Sequence, residues 1–578
     1  MKRILSLFHK EIAGVHQAAF LIGAFTLSSQ LLALVRDRML AHYFGAGQLL
    51  DIYYTSFRIP DLIFASIASL VSISVLIPFL SGVIEDRKHD AQKFINSVFT
   101  VFMMTMVVVS VMAWFFMPLL VKLFFSSIGD TEAVNQVIHL SRILLLQPMC
   151  LGISNMLGVV TQIGKRFFIY ASSSIIYNLS IIFGLVFLYP MYGMTGVIYG
   201  VVIGGATHFM IQIPYVRKVG LLPRITAHID FASIKEVVKV SIPRTIALSG
   251  NMIELIIITS FASWIMVGSV SVVNLALNLQ SAPFAIVGVS YALAAFPTLS
   301  ACFAKGEREK FMEHIITAAR HVIFWSIPIS ALFIVLRAQI VRTILGTGEF
   351  NWDNTRLTAA CLALFVVSLV AQGLELLFIR AYYAAGKTLK PLVINIASSF
   401  ATIGLPFILL ILFNSHEHFR YFMESLFKVE AVPGSAVLML PLGYSLGTLL
   451  NAVAFWILFE FDFGTRWKKA TLLTEGVYDR YSFTSKIIPT LSMSIQAAVF
   501  GGFSAYVGLN IFSNVFDLTT LIGIFLQGFG AGLLGIAGAV IVLVLLGNTE
   551  IIEIYTTIKS KIWRKNKIIV SEPDRIEN

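Results

Sequence analysis

The stretch TTLIGIFLQGFGAGLLGIAGAVIVLVLL, residues 519–546, runs without one charged residue. An α-helix rises about 1.5 Å per residue, so roughly twenty apolar residues cross the ~30 Å hydrocarbon core of a bilayer. A helix also satisfies its own backbone groups within one segment, which hydrocarbon demands because it offers no water in exchange. The same criterion applied upstream gives windows at 15–40, 57–83, 94–119, 134–160, 168–189, 195–215, 234–263, 270–299, 316–336, 358–384, 391–413, 436–460 and 487–510. The chain therefore reads as an all-α polytopic membrane protein of about fourteen transmembrane helices.

Composition supports this class. Charged residues make up 13% of the 578, against about 25% in an ordinary soluble chain, and mean hydropathy is +0.85. The shortage extends over the whole length and leaves no room for a sizeable soluble domain. A net charge of +11 would suit a nucleic-acid surface, but basic loops between apolar spans produce it without such a partner, and none is expected. Cys150, Cys302 and Cys361 stand far apart in apolar runs and read as small core residues. The opening MKRILSLFHKEIAGVH is basic and amphipathic and leads into the first window without a cleavable signal pattern.

Charge alternates between loops. Arg87, Lys88 and Lys93; Lys165 and Arg166; Arg217, Lys218 and Arg224; Lys305, Arg308 and Lys310; Lys387 and Lys390; and Arg466, Lys468 and Lys469 fall on one side, joined by KSKIWRKNK in the tail. HYFGAGQLL, PMYGMTG and the turns near Val267 and Asn514, on the other side, carry no lysine or arginine. By the positive-inside rule the basic side is cytoplasmic, which puts both termini of this multi-pass protein there.

A faint repeat organises the windows. Ile77-Pro78-Phe79-Leu80-Ser81 recurs as Phe296-Pro297-Thr298-Leu299-Ser300, and Gly164-Lys165 recurs as Gly386-Lys387. Each offset is the length of six windows, an even number, so the two halves share one orientation. The expected division is an N-terminal lobe over 1–220, a C-terminal lobe over 221–465, two additional helices over 466–550 and a basic tail over 551–578. Parallel repeats of this kind place a substrate site between the lobes. The second lobe alone carries an insertion, about 414–435, expected as a short helix on the outer surface.

Ionisable groups at membrane depth are costly and are site candidates by default. The densest set is Arg36-Asp37-Arg38, followed by FGAG at 44–47, Asp51 and Arg58-Ile59-Pro60-Asp61. Neighbouring helix residues point about 100° apart, so at most two of the triplet can face one cavity. Two readings stand: an interfacial charge belt, or a cationic wall that recognises an anionic group through arginine's planar fork. Arg142, Arg244 and Arg380 add cations, each of which singly also fits a paired structural charge. Asn251, Asn274 and Asn278 fit interhelical hydrogen bonds. Pro60, Pro78, Pro243, Pro283 and Pro297 are expected to kink their helices. His416-Glu417-His418 lacks a third ligand and is not expected to hold metal. There is no Walker loop, G-x-S-x-G, H-E-x-x-H or acidic loop suited to metal-assisted transfer, so a transporter is expected and not an enzyme.

The stretch LLALVRDRMLAHYFGAGQLLDIYYTSFRIPDLIF resembles the opening signature of the MurJ (MviN) family of lipid II flippases, in the multidrug/oligosaccharidyl-lipid/polysaccharide exporter superfamily. SRILLLQPMCLGISNMLGVVTQIGKRFFIYASSSIIYNLSIIFG, SIPRTIALSGNMIE and RAYYAAGKTLKPL extend the likeness over nearly the whole chain. The resemblance implies flipping of an undecaprenyl-diphosphate-linked peptidoglycan precursor by alternating access. It implies no cofactor, with coupling to membrane potential or a monovalent cation. The partners implied are the lipid-linked glycan, membrane lipids and cell-wall synthesis proteins. Arg36, Asp37, Asp51 and Arg58 match the family pattern, and Arg38, Arg244 and Asn278 complete the expected substrate-binding set. Gln30, Phe64, Ala65 and Asn278 stand where relatives carry arginines. Acids for sodium in the second lobe are not evident, Asn395 and Ser399 standing as a weak echo of that site. Export of another polyprenyl-linked glycan or amphipathic solute, or a scaffold role in envelope synthesis, are the alternative readings.

Overall fold

The computed structural model describes residues 15–68, 71, 76, 80, 88–465 and 482–563, and every regular element among them is helical. The helices named below are α1 (Val15–Phe44), α2 (Gln48–Ser56), α3 (Arg58–Ile67), α4 (Lys88–Phe125), α5 (Thr131–Leu144), α6 (Leu146–Ile163), α7 (Phe167–Phe183), α8 (Tyr189–Tyr192), α9 (Met194–Met210), α10 (Ile213–Val219), α11 (Phe231–Ile265), α12 (Ser269–Phe284), α13 (Ser290–Ala304), α14 (Arg308–Ile344), α15 (Trp352–Val366), α16 (Leu369–Ala384), α17 (Leu389–Ser415), α18 (Glu417–Phe427), α19 (Met439–Phe459), α20 (Phe483–Ser513), α21 (Leu521–Leu545) and α22 (Thr549–Trp563). Eleven described helical stretches are long and apolar enough to cross a membrane, and a twelfth results if α15 and α16, bent by 41°, form one span. The expected count of about fourteen is therefore not established. The two remaining windows are α1, which carries the charged triplet, and 57–83, which lies partly outside the described residues together with Pro78.

Loop chemistry sets the helix starts. Asp130 accepts from the Ala133 amide at 2.9 Å to begin α5, and Asn351 accepts from Asn354 at 2.8 Å to begin α15. Asp230 accepts from Ala232 and Ser233 at 3.1 and 3.3 Å to begin α11. Each satisfies amides that the first helical turn leaves unpaired. Just beyond Pro283, α12 passes into a π-helical turn, Ala285–Val289.

Close packing depends on small residues, as it must where lipid competes equally well for apolar surface. A Cβ on Gly200 would meet the Gly184 Cα at 2.6 Å, so α9 and the helix through Gly184 touch backbone to backbone. In the second half, Cβ atoms on Gly443 and Gly447 would meet Pro406 N at 2.3 Å and Thr402 Cγ2 at 2.5 Å, which sets α19 directly on α17. Helices α1, α7 and α9 pack side by side in the first half; α11, α17 and α19 do so in the second, with α16 beside α13, α14 and α19. The last two spans, α20 and α21, pack on each other and on α14. The halves meet where α3 and α4 lie on α11 and where α2 lies on α12. The insertion of the second half contains α18, a helix with Tyr421, Phe422 and Leu426 exposed.

Candidate functional site

The end of the bundle at which α1 terminates is here called the distal end. The chain turns there through Gly45, at φ 59°, where a Cβ would meet the Glu349 carbonyl oxygen at 2.6 Å. Asp51 follows in α2 and is 1% exposed. Its Oδ2 accepts the Gly268 amide at 2.5 Å, and its Oδ1 accepts the Ser271 amide at 2.7 Å and the Ser271 hydroxyl at 2.5 Å. A carboxylate from the first half thus caps the N-terminus of α12 in the second, where unpaired amides and the helix dipole favour negative charge. Gly268 is required there: its φ is 94°, and a Cβ would meet the Ala46 carbonyl oxygen at 2.1 Å.

Further along α12 the pairing continues on one face. The buried Arg58 guanidinium donates to Asn274 Oδ1, and the Asn274 amide donates to the Val270 carbonyl at 2.7 Å, which fixes which end of the amide faces the arginine. Asn278 Nδ2 donates to Asp37 Oδ2 at 3.0 Å. Ser271, Asn274 and Asn278 are spaced by three and four residues, one stripe of a helix, and they meet Asp51, Arg58 and Asp37 in turn. Arg38 points elsewhere. Its Nη1 donates to the Thr343 and Ile344 carbonyls at 2.5 and 3.1 Å, at the C-terminal end of α14, where a cation suits the helix dipole. The Glu349 amide donates to the His42 carbonyl at 3.0 Å beside it.

In this geometry Arg38, Asp51, Arg58 and Asn278 are engaged in a clasp between the two halves. The 100° step between neighbouring helix residues sends Asp37 to Asn278 and Arg38 to the end of α14. Arg36 is the member of the triplet that stays beside its own half. It donates from Nε and Nη2 to Asp37 Oδ1 at 3.0 and 2.8 Å, and from Nη1 to Asn178 Oδ1 at 3.1 Å, with its side chain 19% exposed. The side chain of Arg244 lies outside the described residues. Arg142 stacks on Trp114 at 4.2 Å and donates to its carbonyl at 3.0 Å, a structural role.

A second constellation lies wholly in the second half. A cavity of about 500 Å³ opens between α11, α16, α17 and α19, lined by Glu254, Glu375, Asn395, Ser399, Thr402 and Asn451 among others, with no lysine or arginine among the described residues that line it. The Thr402 hydroxyl donates to the Ser398 carbonyl at 3.0 Å, and Asn451 Nδ2 donates to Asn395 Oδ1 at 3.5 Å. Asn451 is 5% exposed, and its Oδ1 is buried without a hydrogen-bond partner. Two acids thus stand in this half, Glu254 in α11 and Glu375 in α16, neither of which the sequence analysis singled out. The signal was available: Glu375 is an acid inside the apolar run of α16, and an ionisable residue within a span is a candidate on that ground alone.

Comparison with known proteins gives one answer. The family model described as "Lipid II flippase MurJ" matches residues 40–516. The lipid II flippase MurJ of Burkholderia cenocepacia is 25% identical over 391 residues, which are 66% of this chain and 75% of that protein. A probable lipid II flippase MurJ of Buchnera aphidicola is 27% identical over 394 residues, 66% of this chain and 75% of its own. Among solved structures, "Lipid II flippase MurJ, inward closed conformation" aligns with a TM-score of 0.64 at 19% identity, covering 91% of this chain and 99% of the other. An inward-facing multidrug transporter of the MATE family and MOP superfamily aligns with a TM-score of 0.63 at 14% identity, covering 77% and 96%. At those identities the structures establish the fold, and the family follows from the match over most of the sequence. The chain belongs to the MurJ family of lipid II flippases.

Proposed function

We propose that this chain moves lipid II, a polyprenyl-diphosphate-linked glycan, from the inner to the outer leaflet of the cytoplasmic membrane by alternating access between its two lobes. The observation that carries the reading is the distal clasp. It joins the lobes through side-chain hydrogen bonds and a helix cap, contacts that exchange with water at small net cost when the lobes part. The bias of basic residues toward the other end makes the distal end the outer one and both termini cytoplasmic. The conformation described is then closed outward.

Arg36 is the primary phosphate ligand in this reading, because its guanidinium remains partly accessible beside the clasp. Arg58 joins when the clasp opens and Asn274 releases it. Each guanidinium offers a planar fork that suits two phosphate oxygens. The carboxylate cavity supplies the coupling site. Two acids, four amides and hydroxyls offer a set of oxygen donors with no basic residue among the described lining, chemistry that suits a small hard monovalent cation. The membrane potential acts on such a charge at roughly 2.3 kcal/mol per 100 mV for full transit.

The test is complementation. Expression of the intact chain in a strain depleted of its own lipid II flippase should restore growth, and Arg36→Ala should not. Wild-type growth with Arg36→Ala would overturn the role of Arg36. A second reading, export of another polyprenyl-linked glycan, draws on Asn278, which stands where relatives carry arginine and is bound to Asp37. It gains if the intact chain fails in that strain but rescues a polysaccharide-flippase deletion.

A further inference from the structure

Asn178 lies on α7, is 7% exposed, and faces α1 with all three polar contacts of its amide engaged. Its Oδ1 accepts from Arg36 Nη1 at 3.1 Å. Its Nδ2 donates to Ser29 Oγ at 3.1 Å and to the Ser174 carbonyl at 3.1 Å. The Ser29 hydroxyl donates to that same Ser174 carbonyl at 3.4 Å. The two donor contacts leave the oxygen only one direction, toward Arg36.

We infer that Asn178 is the positioning residue that aims Arg36 at the substrate phosphate, a role that rests on the reading of Arg36 given above. The argument is a count of donors. A guanidinium carries five N–H groups in one plane. Asp37 Oδ1 takes one from Nε and one from Nη2, and Asn178 takes one from Nη1. One N–H on each terminal nitrogen remains, and these two are left for phosphate oxygens. Asp37 alone holds the group along one edge and leaves it free to swing about that edge. Asn178 supplies the second point that fixes the plane. Because it is neutral, it does so without cancelling the positive charge the phosphate needs, which another carboxylate would.

The competing role is structural: Asn178 joins α7 to α1 through Ser29, and its loss would loosen the lobe whatever Arg36 does. A double-mutant cycle separates the two, because residues acting through one another are non-additive. The full-length protein in nanodiscs is titrated with undecaprenyl diphosphate, and the thermal midpoint of each variant is recorded in parallel. Asn178→Ala should weaken binding about tenfold, the loss of one hydrogen bond to a charged group. The double variant Arg36→Ala/Asn178→Ala should bind like Arg36→Ala alone. Ser29→Ala, which removes the brace and leaves both partners, should give a smaller loss that also vanishes without Arg36, and it serves if Asn178→Ala does not fold. An Asn178→Ala loss that persists undiminished in the Arg36→Ala background overturns the inference, as does unchanged binding when Arg36→Ala alone weakens it. Unchanged binding in Arg36→Ala itself removes the reading of Arg36 and the inference with it.

Discussion

Replacing Asp51 should open the distal clasp. The carboxylate accepts three hydrogen bonds from the start of α12, at 2.5, 2.7 and 2.5 Å, and is almost fully buried between the lobes. The donors regain water when the lobes part, so each hydrogen bond contributes about 1 kcal/mol net, and Asp51→Ala loses about 3 kcal/mol in all. At 1.4 kcal/mol per factor of ten, this multiplies the ratio of open to closed molecules by about a hundred. Spin labels at Glu132, exposed at the start of α5, and at Ser425, exposed on α18, report the distance between lobes at that end once Cys150, Cys302 and Cys361 are replaced. Double electron–electron resonance should show a longer distance gaining population in Asp51→Ala. Asp51→Asn should shift the same way, because its Nδ2 faces donors and can accept nothing. A wild-type distribution in both variants would refute the assignment of Asp51 to the clasp.

Glu254→Gln and Glu375→Gln should each weaken the dependence of transport on monovalent cation in reconstituted vesicles while leaving undecaprenyl diphosphate binding intact; equal loss of both would place the carboxylates elsewhere in the mechanism. Gly447→Leu should separate α19 from α17, since even a Cβ there meets Thr402 Cγ2 at 2.5 Å, at a cost of about 1–3 kcal/mol visible as a lower thermal midpoint. Asp230→Ala should destabilise the start of α11 by about 1 kcal/mol. The Ser233 hydroxyl and amide hold the exposed Asp230 carboxyl below the usual carboxylate range. Its contribution is therefore complete above about pH 4 and fades only as pH falls through the lowered value, so the gap between wild type and Asp230→Ala should narrow in acid and stay constant around neutrality.

The spans were legible because hydrocarbon leaves helices no alternative: the run at 519–546 reappears as α21, and the insertion about 414–435 contains α18. The first two windows are harder to count: side chains at the start of α1 and much of 57–83 lie outside the described residues. The site was legible as a set of residues and not as an arrangement. Asp51, Arg58 and Asn278 each stand out as polar groups at membrane depth, yet their meaning lies in pairs more than two hundred residues apart, Asp51 with Ser271 and Asp37 with Asn278. No local pattern encodes such pairs. Ser271 and Asn274 look like ordinary span residues until α12 is laid against α2 and α3. Glu254 and Glu375 were a different case, visible to the rule that an ionisable residue inside a span is a candidate but hidden in stretches read for their helices alone.

In the proposed function this chain carries a lipid diphosphate across the membrane with Arg36 as its phosphate ligand. The decisive measurement is a leaflet-resolved assay of lipid II in cells depleted of their own flippase. Wild-type chain should restore lipid II to the outer leaflet, and Arg36→Ala, present in the membrane at equal amount, should leave it in the inner one. Lipid II confined to the inner leaflet despite abundant folded wild-type chain, or equal restoration by Arg36→Ala, would contradict it.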